Sequence, residues 1–176
     1  MDGCLRAFES QLNKHPISSS PLLRVLMVAL VFFSLDRCSK IVILRWLDLE
    51  SLQVMPAFPP YLRFVMAWNR GVNFGWLSEF DARWMFVGLS LVVSVGLAWW
   101  VRRTSGWMMP LAAGMVIGGA LGNAYDRVFF GAVADYINMS CCGIDNPYSF
   151  NVADVWIFGG ALVLIYAIDS RTRQKE

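Results

Sequence analysis

Phe150-Asn151-Val152-Ala153-Asp154 leads straight into an apolar run, and Gly122-Asn123-Ala124-Tyr125-Asp126-Arg127 closes the run before it. Between them lies Val133-Ala134-Asp135-Tyr136. Carboxylates therefore stand at the rims of two neighbouring membrane-length segments. Ionisable groups in such places are costly and invite a functional explanation. Two carboxylates brought together at a membrane surface can share one proton and activate a water.

Other hydrolytic chemistries lack their parts. The only histidine is His15, in the polar N-terminal stretch. No H-E-x-x-H pair exists, so a zinc membrane protease is excluded. A Ser-His dyad and a Cys-His pair fail for want of a histidine near the membrane. No metal or other cofactor is expected. An aspartic protease working at the membrane is the expectation that remains.

Each candidate residue also has a plain structural reading. Asp36 and Lys40 are four apart on one helical face, the spacing of an ordinary ion pair. At ~1.5 Å per residue Asp36 lies roughly 21 Å into its segment, near enough to one surface to support a site there. Asn123 and Asp126 share a face at a helix end, where Asp126 reads as the partner of Arg127 and Arg127 suits the C-terminal dipole. Asn151 and Asp154 resemble a capping box. Ala153 allows close approach of backbone or substrate. Asp135 sits in an alternating stretch that reads as a short strand or an edge.

The elements that must position these residues follow from composition. Of 176 residues, 57% are hydrophobic and 16% charged, and the mean hydropathy is +0.50. Soluble domains carry about 25% charged residues. Four runs near 22–44, 84–101, 107–125 and 152–168 each approach the ~20 residues that span a bilayer. The fold expected is an all-α membrane protein, residues 1–176 forming one integral-membrane domain. It has four transmembrane helices, outer loops at 45–83 and 126–151, and a small outward-facing β-sheet with an interfacial segment. The polar stretch ending Ser18-Ser19-Ser20-Pro21 makes a poor signal peptide, so the first run reads as an uncleaved span. Leu62 to Trp68 reads as a strand entering a turn at Asn69-Arg70-Gly71, with Val72 to Leu77 as its return and Ser78 or Asp81 capping the next helix. Phe64, Trp68, Phe74 and Trp76 suit the interfacial zone. Gly114, Gly118 and Gly122 form two overlapping G-x-x-x-G pairs, a face that lets helices approach closely and is expected to bring span three against span four.

Arg6, Lys14 and Arg24, the Arg102-Arg103 loop, and Arg171, Arg173 and Lys175 place both termini in the cytoplasm. Arg45, Arg63, Arg70, Arg83 and Arg127 then lie on the outer side. The formal net charge is only +2, with no basic stripe for nucleic acid. Cys38 falls within a span, and adjacent Cys141 and Cys142 read as free thiols in an outer loop.

Together these motifs resemble signal peptidase II, the bacterial lipoprotein signal peptidase family. The resemblance runs from Asp36 to the fourth span. It rests on Asp36-x-x-x-Lys40, Asn69-Arg70-Gly71-Val72-Asn73-Phe74, the Gly118 to Arg127 block, Gly131-x-Val133-x-Asp135-Tyr136, and Phe150-Asn151-x-Ala153-Asp154. It implies a metal-free aspartic endopeptidase with catalytic Asp135 and Asp154. It also implies that Asn69, Asn123, Arg127 and Asn151 contact or orient substrate, and that Asp36, Lys40 and Asp126 support the site, with Gly71 and Ala153 lying within the same motifs. Implied partners are prolipoproteins carrying diacylglycerol on a cysteine, cleaved just before it, together with membrane lipids and globomycin-type inhibitors. The implied location is the bacterial inner membrane, multi-pass, with the active site at the outer face. Asn73 stands where the family usually has Ala, and Pro147-Tyr148-Ser149 replaces the more usual Phe-Pro-x.

The alternative reading of the same acids is a small proton-coupled carrier or channel subunit. Clustering at one rim, and not along a path, argues against it. A purely structural membrane subunit leaves the acids without a reason.

Overall fold

Among the described residues four long helices carry the chain, and a three-stranded sheet sits at one end of them. A computed structural model describes residues 20–71, 82–104, 106–140 and 146–173. Helix α1 spans Pro21–Ile41 and widens into a π-helical turn over Val42–Trp46. A single helical turn, α2, covers Leu49–Leu52. Strands β1 (Val54–Phe58) and β2 (Leu62–Asn69) follow. Then come α3 (Arg83–Val101), α4 (Met108–Phe130), β3 (Val133–Met139) and α5 (Val152–Arg173). The four expected apolar runs match α1, α3, α4 and α5 with ends shifted by a few residues.

Local chemistry sets several ends. Ser20 Oγ accepts from Leu23 N at 3.2 Å, and Pro21 opens α1 with a preset φ and no amide to satisfy. Helix α4 stops at Gly131, whose φ of 78° is the left-handed cap that glycine adopts freely.

Helix α4 is the hub, packed against α1, α3 and α5. Its small residues make this possible. A Cβ at Gly118 would stand 2.6 Å from the Ala29 carbonyl oxygen, and one at Gly114 2.5 Å from Val28 Cβ. The G-x-x-x-G face thus receives α1, not the fourth long helix expected from sequence. A neighbouring glycine serves that other contact: a Cβ at Gly119 would stand 2.5 Å from the Ala153 carbonyl oxygen on α5. Two glycine faces roughly a third of a turn apart let one helix meet two partners closely.

The outer surface of the bundle is apolar, its core is apolar around Val25, Val101, Ala112 and Ile117, and the buried polar groups gather at one end. Leu30, Val92, Val95, Phe158 and Leu162 are exposed, whereas Asp36, Lys40, Asp126 and Asn151 are buried. Exposed apolar area of this extent marks a surface that meets something other than water. By length and apolarity alone, Arg83–Val101 and Val152–Ser170 could each cross a membrane. The other two long helices carry charges for a physical reason: Asp36, Arg37 and Lys40 on α1 meet Asp126 on α4.

The sheet has the order β1-β2-β3, all antiparallel. Strand β2 is the one expected from sequence, and β3 resolves the alternating stretch around Asp135 as a strand. The expected return strand over 72–77, its aromatics Phe74 and Trp76, the Ser78 or Asp81 cap and the Cys141-Cys142 pair lie outside the described residues. Strands β1 and β3, far apart in sequence, flank β2.

Candidate active site

Strand pairing sets the site. Across β2 and β3, Ala67 faces Asp135 and Asn69 faces Val133. Phe150 then docks on β3: its amide donates to the Ile137 carbonyl at 3.0 Å, and its carbonyl accepts from the Tyr136 and Ile137 amides at 3.0 and 2.8 Å. This backbone clamp delivers Asn151, the next residue, beside Asp135.

Asn151 joins the two acids. Its Nδ2 donates to Asp135 Oδ1 at 2.6 Å. Its Oδ1 accepts from the Asp154 amide at 3.1 Å, and its own amide donates to Asp154 Oδ2 at 3.1 Å. The last two bonds are the capping box read from sequence. The first shows that the cap residue also holds a second carboxylate.

The other asparagines act similarly. Asn69 donates to Asp135 Oδ2 at 3.0 Å while its Oδ1 accepts from the Gly71 amide at 2.9 Å. Gly71 has φ 101°, and a Cβ there would stand 2.5 Å from Phe86 Cε2, so the turn needs glycine. Asn123 donates to Asp154 Oδ1 at 2.9 Å, and its Oδ1 accepts from Lys40 Nζ at 3.2 Å.

Beneath lies a charge cluster. Lys40 pairs with Asp36 at 3.1 Å, as its spacing predicts, and with Asp126 at 2.6 Å. Arg37 bridges the same two acids, at 2.6 Å to each. Asp126 therefore takes its cations from α1 and not from Arg127, correcting the pairing inferred from adjacency. Arg127 Nη1 donates instead to the Asn123 carbonyl at 3.3 Å, and the guanidinium lies 4.8 Å from the Phe86 ring centre. Two cations balance two anions, which is how charges survive burial. Arg37 is the participant that sequence reasoning missed. Its position inside an apolar run was the available signal. Tyr136 completes the link to α1, donating to Ser39 Oγ at 2.7 Å.

Ala153 is fully buried, and its carbonyl faces Gly119. Of its two sequence readings, close backbone approach is the one this geometry fits.

The electrostatics set Asp135 apart. Burial pushes its carboxyl up to about 6. The amides of Asn151 and Asn69 and the charge of Lys40 oppose that shift, while the nearby charge of Asp154 adds to it. The two acids are thus in electrical contact, and Arg127 interacts with both. A carboxyl half-protonated near pH 6 beside a second acid is suited to acid–base work. Beside Asp154 an apolar cavity of about 490 Å³ opens against Phe150, Val155, Phe158 and Gly159. Among the described residues no cluster of histidine, cysteine or acidic side chains has the makings of a metal site.

Residues 28–169 match the family model of signal peptidase (SPase) II. The chain is 38% identical over 142 residues to a lipoprotein signal peptidase of Methylorubrum extorquens (strain PA1), covering 80% of this chain and 82% of the relative. It is 37% identical over 140 residues to one from Caulobacter vibrioides, covering 78% and 82%. A solved structure described as a bacterial membrane enzyme superposes with a TM-score of 0.70 at 25% identity, covering 86% of this chain and 91% of that one.

Proposed function

From the premise that the chain belongs to the signal peptidase II family, a family of aspartic peptidases, we propose that Asp135 and Asp154 are its catalytic pair. The chain removes signal peptides from prolipoproteins. The bond broken is the one just before the lipidated cysteine. One observation carries the assignment of the pair: a single residue, Asn151, hydrogen-bonds both carboxylates.

The chemistry is general acid–base hydrolysis. The pair holds one proton between them and titrates jointly. The ionised carboxylate takes a proton from water as its oxygen attacks the scissile carbonyl carbon. The protonated carboxyl donates its proton to the carbonyl oxygen, giving a tetrahedral diol. Collapse breaks the C–N bond, and a proton passes to the departing amine. The products are a peptide carboxylate and the free amino group of the cysteine. General acid–base help of this kind contributes about 10²–10⁴-fold each.

Asn69, Asn123 and Asn151 hold the acids, while Lys40, Asp36 and Asp126 fix Asn123 from below. Arg127 has a buried Nε without a hydrogen-bond partner among the described residues. A substrate carbonyl crossing this rim would satisfy it. The apolar cavity beside Asp154 suits a lipid-anchored substrate, and globomycin-type inhibitors occupy the same groove. All four long helices span the bacterial inner membrane as one domain, with both termini cytoplasmic and the site at the outer face. A carrier or channel role is not supported, because the acids cluster at one end of the bundle and the relatives are peptidases.

The test is cleavage by purified protein. A diacylglyceryl prolipoprotein should be cut and the same chain without lipid should not. Equal cutting of both would remove the lipid-dependent reading.

A further inference from the structure

Three outward arginines remain unused by the peptidase centre. Arg45, Arg70 and Arg83 line one cleft of about 680 Å³, together with Glu50, Trp68 and Phe130. None of these six belongs to the set that holds Asp135 or Asp154. We propose that this cleft binds the phosphodiester headgroup of an anionic membrane lipid, at a site separate from the peptidase centre.

Position argues first. Arg45 closes the π turn after α1, Arg83 opens α3, and Phe130 ends α4, so three helices present the cleft at the same end. Trp46, Trp84 and Phe129 are exposed at that end. Exposed aromatics at helix ends mark the headgroup level of a bilayer. The cleft therefore opens where lipid phosphates lie.

Charge argues second. Arginine is normally depleted from outward loops near spans. Among the described residues lining the cleft, three arginines stand with one carboxylate, which runs counter to that trend. Among the described residues neither Arg45 nor Arg70 is ion-paired. Guanidinium forks match phosphate oxygens in pairs. Glu50 can accept from headgroup hydroxyls, which favours phosphatidylglycerol over a choline headgroup that has no donor. Ile41 and Val128, both exposed, offer apolar surface for the acyl chains.

The inference rests on the membrane placement proposed above but not on the identity of the catalytic acids. Purified full chain in non-ionic detergent is titrated with phosphatidylglycerol, phosphatidylcholine or inorganic phosphate and read by native mass spectrometry. Phosphatidylglycerol should bind tightest. The double substitution Arg45→Gln with Arg70→Gln should weaken that binding by roughly tenfold, given the worth of basic groups near anionic headgroups. Its cleavage activity in micelles free of anionic lipid should be unchanged, which separates this site from the peptidase reading. Glu50→Gln should bind phosphatidylglycerol at least as tightly as the parent, because the amide oxygen still accepts from headgroup hydroxyls while the opposing charge is gone. Unchanged affinity in the double variant would overturn the proposal. So would equal binding of phosphatidylcholine, or a loss of binding in Glu50→Gln. Inorganic phosphate binding as tightly as the lipid would overturn the lipid assignment in favour of a soluble anion.

Discussion

The side-chain amide of Asn151 donates to Asp135 at 2.6 Å. Sixteen residues separate the two in sequence. The contact exists because Phe150 is clamped onto β3 by three backbone hydrogen bonds. The same Asn151 caps α5 and accepts from the Asp154 amide. A helix cap and a strand register thus share one residue, and that shared residue fixes the spacing of the two acids. An error in either element would reach the site.

Asp135→Asn and Asp154→Asn should each abolish cleavage while leaving protein in the membrane. Each removes a group that must gain or lose a proton, and losses of about 10²–10⁴-fold or more are expected. Purified variants are given a diacylglyceryl prolipoprotein. Near wild-type turnover in either would take that residue out of the catalytic role. Asp126→Asn is the comparison. It deprives Lys40 and Arg37 of a charged partner, and breaking a buried pair destabilises by about 3–5 kcal/mol. Its defect should therefore appear in thermal unfolding as well as in turnover. An Asp126 variant that is fully folded and inactive, beside an active Asp135 variant, would mean that the wrong acid was chosen.

Stability should depend on pH through Asp135. Its carboxyl is raised from 3.8 to about 6 in the folded chain, chiefly by burial. Between those values the folded state keeps a proton that the unfolded state has lost, so stability falls as pH rises. The contribution is fully present below about 3.8 and is lost as pH passes about 6. Unfolding in detergent across pH 4 to 8 (roughly the span of that titration) should show wild type losing stability relative to Asp135→Asn. A difference between the two that stays flat with pH would refute this.

Gly118→Ala should destabilise the bundle, because its Cβ would meet the Ala29 carbonyl oxygen at 2.6 Å and Phe32 Cβ at 2.9 Å. Backbone cannot yield as a side chain tip can. Overpacking of this kind costs about 1–3 kcal/mol. Gly96→Ala on α3 meets nothing within 4 Å and should be neutral or stabilising by up to ~1 kcal/mol. Equal melting of the two variants would show that α1 and α4 can separate freely.

Much of this was legible in the sequence, and what was not has a common cause. Apolar runs announce long helices because the bilayer length is written into them. The Asp36–Lys40 pair and the Asn151–Asp154 cap are local, three or four residues apart, and the helical repeat predicts both. The partners of Asp126 are not local. Arg37 reaches it across 89 residues, and the choice of Arg37 and Lys40 over adjacent Arg127 depends on how α1 crosses α4. Likewise, G-x-x-x-G says that a helix will come close without saying which one. Strand β1 carries a proline and little alternation, so no period marked it. Asp135 was readable as a strand residue, but its two asparagine partners come from β2 and from the start of α5.

Membrane orientation is the fourth expectation. Arg102 and Arg103 sit where α3 ends, and with the basic C-terminal tail they are expected to face the cytoplasm. A reporter active only outside the cytoplasm should be silent when fused after Glu176. Fused within 138–146 it should be active. The reverse pattern would put the acids on the wrong face for a secreted precursor.

Asn69 and Arg127 test recognition against structure. Asn69 already has two jobs, donating to Asp135 and holding the Gly71 turn. Arg127 donates to the Asn123 carbonyl, yet its buried Nε has no hydrogen-bond partner among the described residues. A peptide lying across this rim loses water from its own backbone groups, and those groups need replacements. An asparagine amide and a guanidinium are suitable ones. Asn69→Ala and Arg127→Ala should therefore weaken substrate handling and globomycin binding together, since both ligands are proposed to follow one groove. The expected loss is roughly tenfold or more, the worth of one hydrogen bond to a charged group. The measurement is direct globomycin binding to each folded variant, with thermal unfolding recorded beside it. Unchanged affinity in both variants would leave Asn69 as a turn residue and Arg127 as a helix-end cation. Weakened binding by a variant that unfolds like wild type would place the side chain against the ligand.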